Sequence, residues 1–250
     1  MPFSPEFSEE WLQYVTSNRR GELLQVLAEI SRLYQTYQSP FVLVGACSLL
    51  IRGCLKYKAW WDVDLLFEFP DEITRFHKLS GAPELQIVPV DFHPIDYGYL
   101  QSMQTMWGVK NVWYRVDYIY RDEYYHFHSV SPEKDNMYRI RLNLNSQKYD
   151  LWLPVAHPWN IFIDKLLSPR LKFELGVRDG YSIDIRHIFI LFSLYRHDPG
   201  FWEYISRKST ELTNGTNVKE NLRNLLLAKD ELGYQSVIVG EKDFQMIDSL

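Results

Sequence analysis

Residues 41–67, with the sequence FVLVGACSLLIRGCLKYKAWWDVDLLF, decide the fold of this chain. The apolar run 41–44, followed by Gly45, is typical of a short buried strand, and residues 46–53 predict a short helix that ends at a glycine. Between residues 61 and 69, mostly polar positions alternate with apolar ones, which indicates a second strand with two distinct faces. The stretch therefore predicts the order strand, glycine, short helix, strand.

Asp62 and Asp64 lie on the second of these strands, two residues apart. Side chains at positions i and i+2 leave a strand on the same face, so the two carboxylates lie close together. Such carboxylates repel each other, and a divalent cation between them removes the conflict. Mg²⁺ binds one or two carboxylates together with the phosphate oxygens of a nucleotide, and a glycine turn at a helix start lets a phosphate approach the backbone. The pattern predicts metal-assisted phosphoryl or nucleotidyl transfer.

The same stretch resembles the signature of the polymerase-β-type nucleotidyltransferase superfamily, which is an apolar strand, Gly with Gly or Ser, a small helix and then Asp-x-Asp. It is most similar to the form in abortive-infection toxins and their relatives, which read Gly-Gly-x-Ala-Leu, a glycine after the helix, and Arg-x-Thr-x-Asp-Ile-Asp-Leu. The aspartates match, whereas a lysine replaces the arginine and a tryptophan replaces the threonine. The corresponding residues here are Gly45, Ala46, Ser48, Leu49, Gly53, Lys58, Trp60, Asp62, Val63, Asp64 and Leu65.

This resemblance implies an NTP as substrate, with Asp62 and Asp64 as ligands of Mg²⁺ or Mn²⁺. It also implies nucleotide contacts at Gly45, Ala46, Ser48 and Lys58. An aspartate pair on a solvated strand edge is the structural alternative for Asp62 and Asp64 when the motif is taken alone.

Two later segments, residues 151–167 and 182–191, resemble the strand, proline turn and helices that follow in relatives. The resemblance assigns the family's lysine to Lys165 and an acidic role to Asp184. Lys165 would neutralise triphosphate charge or orient the attacking group, and Asp184 would hold Lys165 or act as a base. The structural alternatives are a lysine at a helix end and a helix-capping aspartate.

Relatives place a third carboxylate on a later strand, where it completes the metal site or takes the proton of the acceptor. Asp117, inside a long strand pattern, is our first choice. Asp91 is its rival, because VDFHP at 90–94 resembles a strand of the antibiotic nucleotidyltransferases, but the flanking prolines make a poor central strand. Asp150 ranks third, and a solvated strand face is the alternative for each of the three.

The rest of the chain predicts helices up to residue 40, a largely β region from 85 to 155, and helices from 159 onward. Within the β region, residues 100–107 predict a short helix. Residues 124–130 predict a strand that would present His126 and His128 on one face, either as a metal-binding pair or, more simply, in an exposed hairpin.

The predicted fold class is α/β (α+β), with a mixed sheet of the nucleotidyltransferase type flanked by helices and followed by a helical C-terminal half. We place the domain boundary near residue 155. Residues 1–155 would form a nucleotidyltransferase-like α/β domain with N-terminal helices, and residues 156–250 a helical domain.

The composition describes a globular chain of 250 residues, of which 46% are hydrophobic. Its 27 Lys+Arg and 32 Asp+Glu residues give a net charge of −5, which excludes a basic nucleic-acid coat. The longest nearly apolar run, 41–51, is shorter than the roughly 18 residues of a membrane span. With two cysteines, Cys47 and Cys54, and no signal-peptide pattern at the start, we expect a cytoplasmic protein that is not bound to membranes.

Two hypotheses follow from these observations. The first is a Mg²⁺-dependent nucleotidyltransferase that transfers NMP from an NTP to a hydroxyl of RNA, a protein or a small molecule, with a possible antitoxin-like protein partner. The second is a catalytically inactive binding or regulatory module of the same fold, motivated by Lys58 and Trp60 at motif positions. The acidic net charge favours a protein or small-molecule acceptor over tRNA.

Overall fold

The computed structural model describes residues 9–96, 100–121, 123–132, 136–168, 183–212 and 216–250. The chain divides into two compact units, Met1–His157 and Pro158–Leu250. The boundary predicted from the sequence lies near residue 155.

A five-stranded mixed sheet forms the centre of the first unit, in the spatial order β1-β2-β5-β4-β3. β2 runs antiparallel to β1 and parallel to β5, and the remaining neighbours are antiparallel. The strands are β1 (Phe41–Val44), β2 (Val63–Phe67), β3 (Leu85–Asp96), β4 (Leu100–Val109) and β5 (Val112–Arg121).

Helices and a separate hairpin complete this unit. The helices are α1 (Arg20–Tyr37), α2 (Gly45–Ile51), α3 (Pro70–Leu79) and α4 (Tyr124–Ser129), preceded by short 3₁₀ helices at Glu9–Tyr14 and Ser17–Arg19. The hairpin consists of β6 (Met137–Leu144) and β7 (Gln147–Pro154). The mixed α/β class predicted from the sequence is confirmed.

An aromatic cluster fixes the buried face of the sheet. Phe41 from β1, Phe67 from β2, Phe76 from α3 and Tyr118 from β5 contact one another with ring centroids 5.2–6.0 Å apart. All four side chains are buried, and aromatic edge-to-face contacts of this kind add to the area that the rings bury. The cluster therefore holds β1, β2, β5 and α3 together on the face that Val63 and Leu65 also occupy.

Two element predictions in the β region are wrong. Residues 100–107 form part of β4, because ten register pairs with β5 override the helix-like spacing of their apolar residues. Residues 124–129 form the helix α4, whose start follows the left-handed backbone of Glu123. Residues two apart on a helix point in different directions, so His126 is exposed whereas His128 is buried, and the two imidazoles do not form a metal pair.

The second unit is helical. Its helices are α5 (Pro158–Leu167), α6 (Ile183–Tyr195), α7 (Pro199–Lys208), α8 (Thr216–Leu227) and α9 (Glu241–Asp248), with a 3₁₀ turn at Ser209–Glu211. Residue 182, the first of the segment 182–191 that resembles relatives, lies outside the described residues. Among the helices that the structure describes, none has the length and apolar character needed to cross a membrane.

Candidate active site

Two aspartates are paired on neighbouring strands of the central sheet, and a third lies just ahead of one of them in the chain. Asp64 on β2 is the direct register partner of Asp117 on β5, and Asp62 comes two residues before Asp64, just ahead of the strand. Neighbouring strands lie about 4.8 Å apart, and residues paired in register leave a sheet on the same face. The alternate residues Val63, Leu65, Val116 and Tyr118 are buried on the other face. The hydrophobic pattern of the two strands thus directs the aspartates away from the aromatic core.

The backbone of Gly45 packs closely against the carboxylate of Asp64. Val44, at the end of β1, pairs in register with Asp64, and Gly45 follows with a φ of 68°. A Cβ atom added to Gly45 would lie 2.0 Å from Asp64 Oδ2. Both the left-handed backbone and the close approach therefore require glycine.

The turn around Gly45 is held from inside by Ser48. The side chain of Ser48 is buried, and its hydroxyl donates a hydrogen bond to the carbonyl oxygen of Gly45 at 2.7 Å. Ser48 therefore shapes the turn, and its hydroxyl is already engaged. Of the other predicted nucleotide contacts, Ala46 is half-buried and Lys58 is exposed.

Arg115 binds the carboxylate of Asp117 with both sides of its guanidinium group. The Nε–Oδ1 distance is 2.9 Å and the Nη2–Oδ2 distance is 2.8 Å. This hydrogen bonding raises the pKa of Arg115, and the charges of Asp117, Asp62 and Asp64 act in the same direction against the effect of burial. Sequence reasoning missed Arg115, although its position two residues before Asp117 places both side chains on one face of β5.

Asp62 lies in the electrostatic field of the other charged groups. Loss of surrounding water raises its pKa above the ordinary value, and the negative charge of Asp117 adds to that rise, whereas Arg115 and Arg19 oppose it. Burial also raises the pKa of the Cys47 thiol, with further contributions from Asp64 and Asp62. These couplings show that the three aspartates and Arg115 belong to one electrostatic cluster.

An exposed tryptophan and a second arginine lie beside this cluster. The guanidinium group of Arg19 lies 4.5 Å from the ring centroid of Tyr114 and 5.2 Å from that of Trp60. Trp60 is 79% exposed, whereas Trp61 is buried and donates to the carbonyl of Tyr14. Trp60 therefore presents an open aromatic face next to a cation.

The two rival third carboxylates lie elsewhere. Asp91 is on the edge strand β3, where prolines are tolerated, and the register row places Gln104 of β4 between it and Asp117. Asp150 lies on β7 of the separate hairpin and forms an ion pair with Arg139, which lowers the pKa of Asp150. Of the three candidates, only Asp117 is a register neighbour of Asp64.

Lys165 and Asp184 form an ion pair within the second unit. Lys165 lies on α5 and Asp184 on α6, and the two side chains are 13% and 9% exposed. The nearby His187 is buried, and burial lowers its pKa to about 3, with a smaller effect from the charge of Lys165. The imidazole therefore stays neutral at physiological pH, and Asp184 is the acidic partner of the lysine.

The carboxylates of the site fit a divalent cation whose remaining ligands are phosphate oxygens and water. Among the residues that the structure describes, there is no group of three or more His, Cys, Asp or Glu side chains that could hold a metal ion. Mg²⁺ needs only one or two protein carboxylates when phosphates and water complete its shell, and Asp62 and Asp64 fit that role. Asp117 is committed to Arg115 in this structure.

A cavity of about 470 Å³ lies at the other end of β1 from the aspartates. It is bordered by Phe41 and Val42, whereas Asp64 pairs with Val44. Among the described residues, its lining contains aromatic, amide and hydroxyl side chains but no charged ones, so these residues offer nothing to a triphosphate or its cation. The three aspartates are therefore the better candidate for the chemistry of the first unit.

Neither a family model nor a curated protein sequence matches this chain. Among solved structures, an antigenic nucleotidyltransferase-like protein from Paracoccidioides brasiliensis is 20% identical with a TM-score of 0.47, covering 92% of this chain and 99% of that one. JHP933 from Helicobacter pylori is 16% identical with a TM-score of 0.37, covering 92% and 97%. A candidate nucleotidyltransferase from H. pylori is 15% identical with a TM-score of 0.36, covering 97% and 98%. At these scores the likeness carries no weight for function, and the case for a function rests on the residues of this chain.

Proposed function

We propose that this chain is a divalent-cation-dependent nucleotidyltransferase that transfers NMP from an NTP to an acceptor hydroxyl. The observation that carries the proposal is the register pairing of Asp64 with Asp117, with Asp62 within electrostatic reach of Asp117. The negative charges of neighbouring carboxylates repel each other. A divalent cation bound at this place would reduce that repulsion and would bring a triphosphate with it.

In this proposal Asp62 and Asp64 hold Mg²⁺ or Mn²⁺. When bound, such a cation polarises phosphoryl oxygens and balances the charge that develops on them. Gly45, whose missing side chain makes room for the carboxylate of Asp64, would present the backbone of the turn to the phosphates, with Ala46 next to it and Ser48 fixing the turn.

The remaining residues are proposed to position the substrates. Asp117 would accept the proton of the acceptor hydroxyl or share the cation. Lys58 would neutralise triphosphate charge. For Lys165 and Asp184, which pair with each other within the second unit, the roles implied by the resemblance stay a prediction. The exposed ring of Trp60 is suited to stacking on the nucleobase.

The acceptor is proposed as a hydroxyl of RNA, a protein or a small molecule. The net charge of −5 disfavours a large polyanion such as tRNA. From the resemblance to abortive-infection toxins we also infer an antitoxin-like protein partner.

The test is Mg²⁺-dependent NTP binding by the full chain. We expect each NTP that binds to raise the Tm in the presence of Mg²⁺, and Asp64→Asn to reduce the affinity for NTP·Mg²⁺ at least tenfold. Asp150→Asn is the matched control, because it removes an exposed carboxylate of the hairpin. Equal affinities in wild type and Asp64→Asn would exclude the site.

The ion pair of Arg115 with Asp117 favours a second candidate, an inactive module that binds nucleotide without transferring it. A permanent internal cation on Asp117 would leave no base for the acceptor. In that case NTP would bind, no label would be transferred, and Asp117→Asn would leave NTP affinity unchanged.

A further inference from the structure

The side chains of Arg115 and Asp117 differ in their exposure to solvent. The Asp117 side chain is 12% exposed and lies in the row of aspartates, whereas the Arg115 side chain is 43% exposed. The carboxylate is therefore fixed by the sheet, and the guanidinium group reaches it from the solvent side. An arginine held in this way can leave its partner without disturbing the core.

Arg19, the arginine beside the cluster, is held differently. Its guanidinium group is placed over the rings of Tyr114 and Trp60 and also donates to the carbonyl of Trp113. These contacts keep Arg19 in place, so its charge is a constant feature of the site. Arg115 is the cation of the cluster that can change partner.

The chemistry of the guanidinium group also suits a triphosphate. Arginine binds carboxylates and phosphates through the same planar pair of N–H donors. Because the guanidinium group of Arg115 is 43% exposed, water and other ions can reach it and compete for its donors. A divalent cation competes for Asp117, and a triphosphate competes for Arg115.

We propose that Arg115 is an exchangeable counter-ion: it neutralises Asp117 in the nucleotide-free protein and moves to the triphosphate when NTP and a divalent cation bind. This inference rests on the proposed function and deepens it by assigning Arg115 to substrate binding. The exchange frees Asp117 only when a triphosphate is present, so the site becomes complete with its substrate and not with the metal alone.

The proposal requires effects of opposite sign in two binding assays on the full chain. In the first assay, Mn²⁺ alone is titrated and followed by electron paramagnetic resonance. Arg115→Gln removes the competitor for Asp117, so we expect Mn²⁺ affinity to rise three- to tenfold, and we expect Asp117→Asn in the same chain to cancel that rise. Arg115→Lys keeps the charge but not the paired donors and is expected to lie in between.

In the second assay, a non-hydrolysable NTP analogue is titrated at saturating Mg²⁺. Arg115→Gln removes a triphosphate ligand, so we expect affinity for the analogue to fall five- to tenfold. Arg139→Gln is the matched control for both assays, because Arg139 also forms a two-donor ion pair with an aspartate, in the hairpin. It is expected to change neither affinity.

A purely structural role of Arg115 would weaken both affinities together, and that result overturns the inference. So does an unchanged Mn²⁺ affinity in Arg115→Gln while the wild type binds Mn²⁺ and the analogue normally, which would leave the proposed function standing. Absence of Mn²⁺ and analogue binding in the wild type would overturn both.

Discussion

At the scale of single residues, Gly45 is the position of the candidate site that has least room for change. Its backbone has a φ of 68°, and an added Cβ would lie 2.0 Å from the carboxylate of Asp64. Gly53 has a similar φ of 72° but open space around its Cβ position. Comparing variants at the two glycines therefore separates the effect of backbone strain from the effect of displacing Asp64.

We predict that Gly45→Ala and Gly53→Ala both lower the free energy of unfolding, by about 1 kcal/mol from the strained backbone alone. Only Gly45→Ala pushes Asp64 aside, so only this variant should also lose most of its affinity for NTP·Mg²⁺. Urea unfolding and calorimetric titration measure the two effects. Equal nucleotide affinity in both variants would contradict the proposed role of the turn.

Asp62 gives a prediction about pH. Its pKa is raised in the folded protein, chiefly by loss of water, so the native state binds its proton more tightly than the unfolded chain. Stability from this group is therefore lost as the pH rises from the ordinary aspartate pKa through the raised one. We expect Asp62→Asn to raise the Tm at pH 7 and to leave it unchanged well below the ordinary aspartate pKa, at about pH 3.

A Tm of Asp62→Asn below that of the wild type at pH 7, measured without metal or nucleotide, would contradict this account of Asp62. Asp71→Asn, at an exposed position in the first turn of α3, is the control and should show no such gain.

At the scale of elements, the sequence predicts what is local and misses what depends on pairing. The strand–glycine–helix–strand order follows from short-range patterns, and the structure has it, although β2 begins at Val63 and so includes Asp64 but not Asp62. The parallel pairing of β2 with β5 joins segments that are far apart in the chain, so no local pattern specifies the register that puts Asp117 beside Asp64. For the same reason the helix predicted over β4 is wrong. The pair of Arg115 with Asp117 is local, two residues apart on β5, and the alternation of that strand is the signal that could have identified it.

The contact between α1 and the hairpin provides a test at this scale. The buried Ser31 of α1 accepts a hydrogen bond from the backbone N–H of Trp152 on β7, at 2.8 Å. Ser31→Ala leaves that N–H without its partner, so we predict a loss of about 1–2 kcal/mol in the free energy of unfolding, measured in urea. Ser129→Ala, which removes an exposed hydroxyl bond within α4, should change it by less than about 0.5 kcal/mol.

At the scale of the whole molecule, two arginines lie near the three aspartates of a chain whose net charge is negative. Arg115 and Arg19 lie within electrostatic reach of Asp62, although the net charge is −5. The local field is therefore suited to an anionic ligand that arrives with its own divalent cation, as an NTP does. Under the proposed function, the same net charge disfavours a long polyanion as acceptor and favours a compact one.

Transfer of label from NTP is the decisive assay for nucleotidyl transfer by this chain. The full chain is incubated with Mg²⁺ and each of the four NTPs, labelled either at the α- or at the γ-phosphate, together with a cell extract as the source of acceptors. We expect transfer of α-label that is abolished by EDTA and by Asp64→Asn and is retained in Asp150→Asn. Transfer of γ-label alone, or α-label transfer that survives Asp64→Asn, would overturn the proposed function.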